Sequence, residues 1–166
     1  MIKDNQQHFN RLHVIIDAFV IVVSYIIAWW LKFSSGILDS PGGALSFGFY
    51  MKALVVIVPL YLILYYAFNL YTPKRVQGRR LEFSNVVMAN IVGFLLIFTV
   101  LYNLQSYVDQ FRNFSREMFF YFFAINTVLE ESFRLLIRQF LRTIRKNGYN
   151  LKHVLLVGYS RAAEQY

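Results

Sequence analysis

Residues 53–70 read ALVVIVPLYLILYYAFNL, eighteen positions without a charge. A helix needs about 20 predominantly apolar residues to cross the hydrocarbon core of a bilayer, and this run has that length and character. Pro59 in its middle is expected to bend it, because proline removes one backbone donor and crowds the preceding turn. Two comparable runs flank it. Residues 14–31, VIIDAFVIVVSYIIAWWL, end on Trp29 and Trp30, side chains that settle at membrane interfaces. This run starts too far from the N-terminus, and lacks the small-residue cleavage site, for a secretory signal peptide. Residues 86–104 read VVMANIVGFLLIFTVLYNL.

The composition agrees with a membrane chain. Of 166 residues, 57% are hydrophobic and 16% charged, with a mean hydropathy of +0.43. Soluble domains carry about 25% charged residues, so the apolar excess must be hidden, and lipid is the simplest place for it. No cysteine is present, which excludes a disulfide scaffold and a thiolate metal site. The net charge of +8 is read as attraction to anionic headgroups, with no nucleic-acid partner.

A fourth apolar run is shorter. Residues 118–129, MFFYFFAINTVL, stop at Glu130 and Glu131. Beyond them Phe133, Leu136, Ile137, Phe140, Leu141 and Ile144 recur at helical spacing. The pattern predicts one long helix, 118–145, which crosses the bilayer and then leaves it obliquely in the headgroup layer. Loop charges set the orientation. Lys3 and Arg11, then Lys74, Arg75, Arg79 and Arg80, then the arginine-rich tail all fall on one side. Both termini are therefore expected in the cytoplasm.

Few residues suggest chemistry. Arg134, Arg138, Arg142 and Arg145 follow one another at four, four and three residues, which places them on roughly one helical face. They are candidate contacts for lipid headgroups or for the phosphate of a lipid substrate, although interfacial arginines ordinarily need no specific ligand. Glu130 and Arg134, one turn apart, are expected to form an intramembrane ion pair, and Asp17 is expected to find a basic partner. Glu130 and Glu131 point about 100° apart on a helix and cannot flank one bond as acid and base. The three histidines have no metal-ligand spacing, and NFS at 113–115 matches a glycosylation acceptor. Small residues Ala89 and Gly93 are the expected contact of a homodimer. No catalytic, cofactor-binding or metal residue is assigned.

The last stretch, HVLLVGYSRAAEQY at 153–166, is a strand-like run followed by Gly158 and then small residues. It approximates the glycine-rich turn that seats a pyrophosphate at a helix N-terminus. Ser160 and Ala163 stand where two further glycines would be, so a Rossmann-like unit is expected to begin here without binding a nucleotide on its own.

LYTPKRVQGRRLEF after the second run, FSREMFF at the fourth, and ESFRLLIRQFLRTIRKNGYNLKHVLLVGYSRAAE together carry a resemblance. The chain resembles the N-terminal region of bacterial polyprenyl-phosphate hexose-1-phosphate transferases, the large phosphoglycosyl transferases that begin exopolysaccharide, capsule or O-antigen synthesis. The resemblance implies four membrane helices before a Rossmann-like domain, and a separate C-terminal catalytic domain as partner. It implies a parent enzyme that moves a sugar-1-phosphate from a UDP-sugar to undecaprenyl phosphate at the bacterial inner membrane, using an Asp-Glu pair and magnesium. No position here matches that pair, so this piece is expected to be a non-catalytic anchor with no cofactor of its own.

The expected fold class is thus all-α membrane. A cytoplasmic segment (1–13) precedes a four-transmembrane-helix bundle (14–145, with helices at 14–31, 53–70, 86–104 and 118–145), and 146–166 form the truncated start of a Rossmann-like α/β domain. Two other readings share the anchor: the membrane part of a nucleotide-sugar dehydratase or epimerase, and a standalone scaffold of a polysaccharide assembly complex.

Overall fold

The computed structural model describes residues 2–34, 45–71, 78–107 and 113–146, with the side chains of 2–11, 79, 141 and 144–146 excepted. Four helices account for nearly all of these: α1 (Ile2–Phe33), α2 (Phe47–Ala67), α3 (Arg79–Tyr107) and α4 (Glu117–Lys146). No strand occurs among the described residues. The expected Rossmann start at 146–166 falls, but for Lys146, outside them.

The chain divides after Ser132 into two units, and α4 runs through the division. In the first unit consecutive helices alternate in direction. The end of α1 meets the start of α2 through Trp29 on Phe47, with ring centroids 4.7 Å apart, and Phe33 on Tyr50 at 5.2 Å. The end of α2 meets the first half of α3 through Tyr65 and Asn90. The start of α4 meets the later part of α3 through Phe120 on Phe94 at 4.9 Å and on Phe98 at 6.0 Å.

Helix boundaries depart from the apolar runs for local reasons. α1 reaches back to Ile2, although 1–13 is too polar for hydrocarbon. No glycine or proline interrupts that stretch, so nothing stops the backbone ladder where the hydropathy drops. α2 starts earlier than its apolar run and stops at Ala67. Asn69 adopts a left-handed φ of 56°, while Leu70 N–H donates to the Tyr65 carbonyl at 3.0 Å and Asn69 N–H to that of Tyr66 at 3.0 Å. These two bonds make a Schellman stop, with asparagine in the place usually held by glycine. Asn85 Nδ2 donates to the Phe68 carbonyl at 3.0 Å, so α3 satisfies a group that the end of α2 leaves open. Pro59 lies inside α2, and the helix continues past it.

Among the described residues three helical stretches are long and apolar enough to cross a membrane: Leu12–Phe33, Phe47–Ala67 and Arg80–Tyr107. α4 is not among them, because Glu130, Glu131 and Arg134 interrupt its apolar half and further arginines follow. The division of inside and outside points the same way. On α2 the buried positions are Tyr50, Ile57, Tyr61 and Tyr65, while Val55 is 76% and Ile63 65% exposed. A surface of bare valine and isoleucine over a tyrosine-lined interior would aggregate in water and suits lipid, where only backbone and polar groups must be hidden.

The interior away from the α2–α3 connection is aromatic. Tyr25, Phe119 and Phe122 meet edge to face, Tyr61 joins Phe122 with centroids 5.5 Å apart, and Tyr50 lies 4.4 Å from Phe114. Such pairs add about 0.5–1.5 kcal/mol each beyond the area they bury. Tyr25 Oη donates to the Tyr50 carbonyl at 3.1 Å, and Ser115 N–H donates to Tyr50 Oη at 3.1 Å. Lys32 pairs with Glu117, holding the last turn of α1 to the first turn of α4.

Ala89 and Gly93 do not form a surface for a second copy. Ala89 is fully buried, and a Cβ on Gly93 would lie 2.9 Å from Tyr61 Cζ and 3.1 Å from Leu64 Cδ1. The small residues serve close approach of α3 to α2 within one chain. Gly93→Val is therefore expected to cost about 1–3 kcal/mol through overpacking, read as a lower midpoint in SDS unfolding followed by circular dichroism. An unchanged midpoint would contradict the contact with Tyr61.

Candidate functional site

Toward the α2–α3 connection the interior of the first unit turns polar. His13 and Asp17 on α1, Glu82 and Asn90 on α3, and Asn126 and Glu130 on α4 are all buried, as is Tyr65 on α2. Each helix contributes from its inward face: His13 and Asp17 are one turn apart, as are Asn126 and Glu130, which is the spacing that stacks side chains on one side of a helix.

The centre of this layer is a hydrogen-bonded triad from three helices. Tyr65 Oη donates to Asn90 Oδ1 at 3.0 Å. Asn126 Nδ2 donates to Tyr65 Oη at 3.0 Å and to Asn90 Oδ1 at 2.9 Å. Glu130 and Asp17 lie close enough to act electrostatically on the Tyr65 hydroxyl. Interhelical bonds of this kind in membranes contribute about 0.6 kcal/mol each and up to about 1.7. Their larger effect is on specificity, since a one-residue slip of any helix would leave an amide or phenol bare in hydrocarbon.

Asn126, inside the fourth apolar run, stands at the centre of the triad, and Asp17, singled out in the sequence, is buried. Glu130 is fully buried and Glu131 only partly, in keeping with neighbours that point apart on a helix. Within the second unit the arginines grade outward along α4. Arg134 is 3% exposed, Arg138 is half-buried, and Arg142 is exposed. Arg134 is thus enclosed by protein and does not belong to an exposed basic face. Arg145 lies on the same helix, with its side chain outside the described residues. The expected Glu130–Arg134 pair joins positions one turn apart on α4, and both are buried.

Tyr65 and Asn90 were not legible as site residues. Each sits in a long apolar run, where a tyrosine or an asparagine looks incidental. The available signal was polarity: an asparagine inside a spanning helix needs a partner, and Asn90 and Asn126 are each other's. Among the described residues no three His, Asp or Glu side chains are grouped to hold a metal ion.

Antiparallel helices with apolar outer faces and a polar interior layer make an all-helical body in which, among the described residues, three segments have the length and character to cross a membrane. The family model for a CoA-binding domain matches residues 66–166, more than half of the chain, and the chain belongs to that family. The domain is found in sugar-nucleotide-related and polysaccharide-biosynthesis proteins. No curated protein and no solved structure matches the chain significantly.

The triad makes an internal comparison. Tyr65→Phe removes the hydroxyl bonded to both Asn90 and Asn126 and is expected to destabilise the bundle by about 0.6–1.7 kcal/mol. Tyr61→Phe removes a buried hydroxyl with no hydrogen-bond partner among the described residues and is expected to be neutral or stabilising. SDS unfolding of both variants in one detergent gives the order, and equal losses would show that the triad contributes nothing.

Proposed function

We propose that this chain is a membrane anchor of polysaccharide synthesis, specifically the N-terminal membrane region of a bacterial polyprenyl-phosphate sugar-1-phosphate transferase. The parent enzyme transfers a sugar-1-phosphate from a UDP-sugar to undecaprenyl phosphate, and the anchor holds its catalytic domain at the cytoplasmic leaflet of the inner membrane. The observation that carries the reading is the coincidence of the family match at 66–166 with helices built for lipid. The resemblance of FSREMFF and the RKNGYN-to-VLLVG stretch to that transferase family supports the finer assignment. The α4 crossing completes a fourth span in this reading, with both termini on the arginine-rich side.

The family's name raises coenzyme A. Its diphosphate needs a turn of free backbone N–H groups or a basic cradle. The described part of the matched stretch supplies two long helices and no glycine-rich turn; their outward side chains are mostly leucine, valine and phenylalanine, and the arginines toward the end of α4 line a single helix. The one glycine-rich candidate, around Gly158, lies outside the described residues. We therefore place neither coenzyme A nor the parent's magnesium on the described helices, and no step of the reaction is drawn through them.

A strain deleted for the gene is expected to lose surface polysaccharide, and its membranes to lose release of UMP from a UDP-sugar given undecaprenyl phosphate. The purified chain in liposomes is expected to release none. Undiminished UMP release from the deletion membranes would overturn the transferase reading, and loss of an NAD(P)-dependent UDP-sugar conversion in its place would identify the dehydratase class. UMP release by the purified chain would overturn its role as an anchor alone.

A further inference from the structure

The second half of α4 has a surface that the anchor role by itself does not use. On the first half of α4, Phe120 and Val128 are exposed, and Ala124 between them is exposed as well. These positions follow at intervals of four and form the outward stripe of the helix. Seven residues beyond Val128, and then three and four further, the same helical face passes Leu135, 57% exposed, and changes chemistry at Arg138, half-buried, and Arg142, exposed. An apolar stripe that turns basic along one helix marks the depth at which hydrocarbon gives way to headgroups.

Length agrees with that depth. α4 has 30 residues, about 45 Å at 1.5 Å per residue, whereas the hydrocarbon core is about 30 Å thick. A helix that enters the core near Glu117 emerges at about residue 137. There the second unit presents Leu136 and Phe140, 61% and 65% exposed and one turn apart. Side chains on a helix tilt toward its N-terminus, which for these two means back toward the acyl chains. The segment from Phe133 to Lys146 contains five basic residues and no acidic one; Arg134 is buried, and Arg142 is exposed, so the charge this segment presents outward is positive and suits an anionic surface.

We infer that residues 135–142 of α4 form a headgroup-binding collar, in which Arg138 and Arg142 engage the phosphates of anionic phospholipids while Leu136 and Phe140 insert at the acyl boundary. The collar rests on the membrane reading above and adds to it a preference for anionic lipid. It would set the height at which α4 leaves the bilayer, and so the distance from the lipid surface of whatever follows residue 146. The chemistry recognised is that of a phosphodiester headgroup, with the guanidinium groups supplying charge-assisted hydrogen bonds.

The chain has no cysteine, so single nitroxide labels can be placed without background. V55C, Q139C, F140C and T143C variants of the whole chain are labelled and reconstituted into vesicles of phosphatidylcholine with phosphatidylglycerol. Accessibility to oxygen then reports lipid, and accessibility to a nickel chelate reports water. The expected pattern is high oxygen and low nickel accessibility at V55C and F140C, with nickel reaching Q139C and T143C. In vesicles of phosphatidylcholine alone, or with R138Q/R142Q added, the F140C label is expected to shift toward the nickel-accessible values of T143C. Three outcomes overturn the collar while V55C stays in lipid: nickel access at F140C equal to that at T143C, shielding of F140C from both reagents by protein, and indifference of F140C to lipid charge and to both arginines. Nickel access at V55C would overturn the membrane reading itself, and the collar with it.

Discussion

Asn126 donates to both Tyr65 and Asn90 from inside a helix bundle that shows lipid-like residues to its surroundings. In hydrocarbon such groups have no water to fall back on, so each must face another. Three helices are thereby committed to one rotation and one height. The triad resists small adjustments, since losing a buried hydrogen bond exposes the desolvation cost of both partners.

Around that constraint the rest of the interior is arranged by polarity. Phenylalanine and tyrosine rings fill the space between the first turns of α2 and α4, where Lys32 and Glu117 pin the ends of α1 and α4. Ionisable groups gather at the other end, with Asp17 and Glu130 near the Tyr65 hydroxyl. Charges inside a membrane protein are expensive and are retained where they hold structure or do work. Close approach of α3 to α2 at Gly93 then sets the spacing that lets Tyr65 reach Asn90.

The family match and the helices bear on function from different sides. The match places the chain among polysaccharide-biosynthesis-related proteins, while the helices give a body suited to sit in a bilayer. An anchor beside a polyprenyl-linked reaction has a physical rationale. The lipid acceptor is confined to the membrane, so a tethered enzyme meets it at high effective concentration without binding it tightly. In the proposed anchor the height of the tether matters as much as its strength, and α4 is the element proposed to carry the chain out of the bilayer.

The all-helical character and three spanning-length segments of the described residues were legible, because hydropathy and length decide which segments lipid accepts. The long continuation of α4 was legible from the spacing of Phe133, Leu136, Ile137 and Phe140. Helix ends were less so. Apolar runs report where hydrocarbon begins, whereas the start of α1 at Ile2 and the stop of α2 at Asn69 follow from backbone hydrogen bonds. Packing was not legible at all. Ala89 and Gly93 read as a dimer contact until Tyr61 was found against Gly93, and Arg134 read as part of an exposed stripe until its burial was seen. A one-dimensional pattern tells how polar a position is, but only the packed helices decide which polar groups meet and which faces remain for lipid.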